Sequence, residues 1–208
     1  MQIGTVATLP DELGLVFSFL LMDHVIKKYE QETDIFFLFA NETVLDFYPK
    51  FGFSRIYESL YRYSIQGGNS GKNLKKLDLD TKGDRYLVDS MLRKRSPLKK
   101  LFGARGSGSI SWLHLINVYK NDIYYWKDED LILILYPSGA SLKLIDVISA
   151  VPPAPENLIT EIAGFGNTSS ILFHFPPDIL PFPYDEMEKD ENTMLFILGD
   201  FNPVPGFK

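Results

Sequence analysis

At 208 residues with 45% hydrophobic and 14% aromatic content, the chain is able to bury one sizeable core or two smaller ones, and nothing in it suggests disorder. A net charge of −6 argues against general nucleic-acid affinity. The longest apolar runs, 16–22 and 131–136, fall far short of the roughly 20 residues of a membrane span and follow no signal peptide, so no membrane partner and a cytoplasmic location are expected.

In chain order, an apolar strand is predicted over 3–9, turning through Pro10-Asp11-Glu12-Leu13-Gly14 into an amphipathic helix. A second apolar strand follows over 34–39, then Ala40-Asn41-Glu42-Thr43 and the string Phe47-Tyr48-Pro49-Lys50-Phe51-Gly52-Phe53. Gly52 suits a helix end before a strand over 54–65. Gln66-Gly67-Gly68-Asn69-Ser70-Gly71-Lys72-Asn73 carries no apolar side chain and reads as a linker, giving a first domain over 1–66, a linker over 67–73 and a second domain over 74–208. No internal sequence repeat relates the two.

The second part opens with a helix over 83–95, where Leu87, Val88, Met91 and Leu92 keep helical spacing. Runs over 109–119, 123–126, 131–136 and 141–148 read as strands of an antiparallel meander. A short helix over 155–163 and strands over 171–175 and 193–198 complete it, the last two flanking an acidic, proline-rich loop. The fold class expected is α+β, a mixed α/β arrangement with a central, mostly antiparallel sheet flanked by helices.

Charge is unevenly placed, with ten Lys or Arg against four Asp over 75–105 and seven acids against one Lys over 178–200. A basic stretch attracts phosphate, and the two stretches also suit pairing with each other or across a dimer, but charge runs are most often solvated surface. Zero cysteines exclude disulfides, a zinc–thiolate site and a cysteine nucleophile. His24, His114 and His174 are too scattered for a metal cluster, so no metal is expected. Gly103-Ala104-Arg105-Gly106-Ser107-Gly108 has the look of a phosphate loop, but a strand is predicted after it where such loops need a helix start, so it reads as a connection. Glu186, Glu188, Asp190 and Glu191 suit a cation or a basic peptide, with an exposed loop as the plainer reading.

The run from Ile3 to Phe53 resembles the acetyl-CoA-binding half of the GNAT superfamily of acyl-CoA-dependent N-acetyltransferases. The resemblance implies that Val6, Ala7 and Thr8 offer backbone to the pantetheine arm of acetyl-CoA, and that the loop over Leu13, Gly14, Leu15, Val16 and Ser18 lies at the pyrophosphate. A helix start suits that role because it gathers unpaired N–H groups and a partial positive charge. The family's loop runs Arg or Gln, two residues, Gly, one residue, then Gly or Ala. Here Leu13 takes the basic position and Val16 the glycine, so two of three anchors are lost and weakened cofactor affinity is expected. The same residues serve equally as a buried helix start packed by its apolar side chains.

The resemblance further implies that Asn41 bonds the pantetheine and that Tyr48 protonates the departing CoA thiolate, which leaves more easily when a positioned acid donates to it. Read without the family, Asn41 is a helix cap and Tyr48 a core aromatic. A complete GNAT domain places three strands and two helices before the strand at Ile3. Its edge here needs cover, either from the second part or from a second copy of the chain, as in a homodimer. The second part is loosely similar to the C-terminal GNAT-like half of two-domain bacterial GNAT proteins, through Asn121-Asp122-Ile123-Tyr124-Tyr125, Leu144-Ile145-Asp146-Val147 and Phe173-His174-Phe175. Two functions are therefore expected in competition: acetyl transfer from acetyl-CoA to a small-molecule or peptide amine, or a catalytically degenerate GNAT-like protein that binds or dimerises.

Overall fold

The computed structural model describes residues 1–4, 6–12, 16–65, 73–97, 108–165, 168–175, 184–190 and 194–199. In chain order these form α1 (Phe17–Tyr29), β1 (Ile35–Phe39), β2 (Ser54–Ile56), β3 (Ser59–Ser64), β4 (Leu74–Lys76), α2 (Lys82–Lys94) and α3 (Gly108–Asn117). There follow β5 (Ile123–Trp126), β6 (Leu131–Ser138), β7 (Ser141–Ser149), α4 (Pro155–Ala163), β8 (Ser170–Phe173), β9 (Glu186–Lys189) and β10 (Leu195–Gly199). The linker predicted over 67–73 lies, but for Asn73, outside the described residues. Two compact units result, one of Met1–Glu58 with Lys189–Lys208 and one of Ser59–Glu188. No described helix is long and apolar enough to cross a membrane.

The first unit is built on a three-stranded sheet in the order β1-β10-β2. β10, from near the end of the sequence, lies between two early strands and pairs antiparallel with both, setting Phe37 opposite Ile197 and Ile197 opposite Ser54. Alternation along β1 sends Phe36 and Leu38 inward, where they meet Met22, Tyr48, Phe53 and Phe196 in one aromatic-rich core. The run predicted as a strand over 3–9 does not become one. It makes a single parallel bridge, Gln2 to Phe37, with Ile3 N–H donating to Phe37 O at 2.9 Å, and beyond it residues 6–9 have no strand partner among the described residues. An extended segment without a neighbouring backbone has no ladder to hold it.

The second unit carries a seven-stranded sheet in the order β4-β5-β6-β7-β8-β3-β9. β5, β6 and β7 form the predicted antiparallel meander, and β7 runs parallel to β8 after the α4 crossover. β6 shows why its sequence is uninterrupted apolar: Leu131, Leu133 and Leu135 enter one core with Leu158 and Ile162 of α4, while Ile132 and Ile134 enter the opposite one with Val88 and Met91 of α2. A strand covered on both faces has no polar side to alternate with.

Two predicted strands are corrected. The run over 109–119 is the helix α3, because Trp112, Leu115 and Tyr119 also fit helical spacing and pack on the α2 side of the sheet, where Trp112 Nε1 donates to Asp89 at 3.3 Å. Packing decides what an ambiguous period leaves open. The run over 54–65 breaks between β2 and β3, since its first half pairs with β10 and its second with β8.

At the start of α2, Thr81 caps the helix by accepting from Asp84 N–H, and the Asp84 carboxylate accepts from Asp78 N–H at 2.9 Å and pairs with Lys75 at 2.8 Å. The Asp78 N–H first, and Lys75 after it, hold the Asp84 carboxyl below the usual carboxylate range. A depressed folded-state pKa stabilises the fold above the ordinary value of about 4 and the effect is lost as pH falls through the folded value. Asp84→Ala is expected to cost about 1 kcal/mol at neutral pH, with the gap to the parent chain shrinking below about pH 4. Thermal melts across pH 3–7 check both.

Candidate functional site

In the first unit, the start of the chain runs parallel to β1 through one bridge, and pairing ends before position 6. The bridge pairs position 2 with 37, so unbroken pairing would carry position 6 to 41 and set Val6 beside Asn41. Pairing stops before that, leaving backbone groups of residues 6–9 without strand partners beyond the end of β1. β1's other edge is occupied, with Ala40 N–H donating to Met194 O at 2.8 Å and Phe39 opposite Leu195. Val6 and Ala7 are exposed and Thr8 is half-buried.

Asn41 precedes a short 3₁₀ turn, Glu42–Val44, in an extended conformation. Its side-chain oxygen accepts from Thr43 N–H at 3.0 Å and from the Thr43 hydroxyl at 2.9 Å. The capping role is thus realised, and it engages only the oxygen. The amide N–H groups stay available to a ligand carbonyl, which is the acceptor that a pantetheine amide offers.

Tyr48 opens a second 3₁₀ turn, Tyr48–Phe51, closed by Gly52 in the left-handed region at φ 87°, as the sequence suggested. Its ring is 5% exposed and packs edge-on against Phe47 and Phe53 and, tilted at 5.6 Å, against Phe196. Burial pushes the phenol up from its ordinary pKa, so it stays protonated at neutral pH. The core-aromatic role is real, and an O–H at this position keeps its proton. Phe196 and Met194 are site neighbours that sequence reasoning missed, because nothing local ties a segment near position 195 to one near 40.

The loop is less complete. Leu13, Gly14 and Leu15 lie outside the described residues. Val16 ends the loop at φ −73° and ψ 2°, with its carbonyl accepting from Leu20 N–H and its side chain 64% exposed. No side chain caps α1 there, and Ser18 is half-buried within its first turn. The glycine-rich segment over 103–107 also lies outside the described residues, though a helix and not a strand follows it. No group of His, Asp and Glu among the described residues suits a metal ion.

The structure superposes on a conserved protein of unknown function from Enterococcus faecalis V583, described as a probable N-acyltransferase, with a TM-score of 0.53 at 15% identity over 94% of this chain and 53% of that one. Eis1 from Mycobacterium abscessus superposes with a TM-score of 0.50 at 12% identity, over 93% and 55%. The chain shares the fold of these two structures, a GNAT-like one. A GCN5-related N-acetyltransferase from Kribbella flavida is similar at a TM-score of 0.47 and 16% identity, over 94% and 51%. The chain spans about half the length of these three solved structures. No family model and no curated protein matches its sequence.

Proposed function

We propose that the chain carries the acetyl-CoA-binding half of a GNAT-type N-acetyltransferase within 1–66, its sheet completed by β10, then a linker and a GNAT-like domain over the rest of 74–208. The observation that supports this most is the end of pairing with β1 after one parallel bridge, whose register, if continued, would set position 6 opposite Asn41. An acyl-pantetheine arm placed there completes the interrupted ladder, with backbone N–H groups of 6–9 donating to its carbonyls and Asn41 adding one side-chain donor.

In the reaction proposed, an amine nitrogen attacks the thioester carbonyl carbon while backbone N–H groups stabilise the developing oxyanion. The C–S bond then breaks, the sulfur takes the proton of the Tyr48 hydroxyl, the new amide loses its extra proton to water, and Tyr48 recovers one from solvent. The acceptor is a small-molecule or peptide amine. Incubation with acetyl-CoA and a panel of amines is expected to release CoA thiol in proportion to the amide formed. Thiol release that is the same with and without amine would contradict transfer.

A second reading is a non-catalytic GNAT-like protein that binds or dimerises. It is favoured by Leu13 and Val16 at the positions of the basic and glycine anchors, with Val16 turned to solvent.

A further inference from the structure

We propose that the outward face of α3 is a self-association surface, through which two copies of the chain pair about a two-fold axis. The interface lies within the second unit and does not depend on the acetyltransferase reading.

α3 is apolar on two sides. Trp112 and Leu115 turn inward and join the core on the α2 side of the sheet. Ile110, Leu113 and Ile116, each three residues from the next and so on one face, run along the other side with 47% to 61% of their surface exposed. A helix whose inner face already completes a core has no folding need for a second apolar stripe, and helices that are apolar all round are ordinarily buried.

Area points to a weak, specific pair. Tyr86 of α2 lies three residues before Asp89, whose carboxylate accepts from Trp112 Nε1, and is 77% exposed; Val118, just past the end of α3, is exposed too. These five side chains leave on the order of 600 Å² of largely apolar surface open on each copy, against roughly 800 Å² a side in a stable interface. Polar residues at the edge of the stripe, such as Ser109 and Asn117, supply the rest of the contact.

Charge selects the occupant. α3 carries no acid, Lys or Arg, so two copies meet there without the repulsion that a net charge of −6 brings elsewhere. The charged groups that packing and sequence bring beside it are paired within the chain, Asp89 with Arg93 and, past the helix end, Lys120 with Asp80, each at 2.8 Å. A bilayer fits less well, because a helix that lies in a membrane surface sets Lys or Arg along its polar side to meet anionic headgroups, and α3 has neither. In a two-fold pair the same patch serves both copies, and Leu113, midway along the stripe, falls nearest its own counterpart.

Sedimentation equilibrium of the full chain from about 1 to 200 μM tests this. The mass is expected to rise from 23.7 kDa toward twice that value, with a midpoint on the order of 10 μM. Leu113→Glu, which leaves the inner face of α3 untouched, should stay monomeric throughout while melting as the parent chain does, because pairing would bury its carboxylate against hydrocarbon. The chain has no cysteine, so Leu113→Cys carries a single thiol, and a short bismaleimide should join two copies through it but not through Asp128→Cys in the exposed turn after β5. Should Leu113→Glu fail to fold, the cross-linking of Leu113→Cys decides alone. A parent chain that stays monomeric at about 200 μM overturns the proposal, as does a dimer that persists in Leu113→Glu and is not cross-linked at position 113.

Discussion

Replacing Gly199 with alanine is expected to detach β10 from β1 and to cost about 3 kcal/mol or more, the sum of a disfavoured backbone and a steric clash. Gly199 sits at φ 119°, and a Cβ there would lie 2.3 Å from the Asp34 carbonyl oxygen and 3.3 Å from Ile35 Cα. Both obstacles are backbone, so no side-chain rotation relieves them. The loss falls on the first unit, since β10 joins β1 to β2 and brings Phe196 to Tyr48. Hydrogen exchange over 35–39 should accelerate, while the emission of Trp112 and Trp126, which pack in the cores of the second unit, stays close to that of the parent chain. Gly139 is the control: at φ 60° with open space around it, its alanine variant should lose only about 1 kcal/mol. Unchanged exchange over 35–39 in Gly199→Ala would show that β10 does not hold β1 in place.

Tyr48→Phe carries the second large effect. The variant keeps the ring that packs against Phe47, Phe53 and Phe196, so the fold and acetyl-CoA affinity should be nearly unchanged. It loses the proton that the leaving sulfur takes in the proposed reaction, and the transfer rate should fall about a hundredfold or more. The pH profile gives a second readout. The protonated phenol is the competent form, and burial raises its pKa, so the alkaline loss of rate that Tyr48 controls belongs above the ordinary phenol value. A variant with full kcat would reduce Tyr48 to a core aromatic.

Much of the second unit was legible in its residues. The β-branched and aromatic runs of β5 to β7 and the helices α2 and α4 were bounded by turn and cap residues that act locally. The helical spacing of Val88 and Met91 likewise marked the face of α2 that is buried. In the first unit, Gly52 announced its left-handed turn because few other residues take φ 87° without strain. The place of β10 was not legible, since its strand character is local but its two neighbours are set by packing across well over a hundred residues. The helix α3 was hidden for a related reason: Ile110 and Trp112 keep strand alternation while Trp112 and Leu115 keep helical spacing, and the sheet face they meet decides between them. The segment over 3–9 had the composition of a strand and lacked the neighbour that makes one.

The sequence singled out Asn41 and Tyr48 but not their structural partners. Only coordinates give the Asn41 oxygen to Thr43 and the Tyr48 ring to Phe196. In the proposed reaction each uses its remaining group, an amide N–H pair or a hydroxyl. Leu13 and Val16 mark where the loop departs from the pattern it resembles, and the exposure of Val16 shows that core packing does not account for that side chain.

The most direct test is calorimetric titration of the purified chain with acetyl-CoA, with desulfo-CoA as a control and Asn41→Ala alongside. Saturable binding of acetyl-CoA by the parent chain, lost or much weakened in Asn41→Ala while thermal melts show both folded, is the result expected of a pantetheine arm lying between residues 6–9 and Asn41. No heat from folded protein at millimolar acetyl-CoA would contradict it and leave a GNAT-fold protein without donor binding.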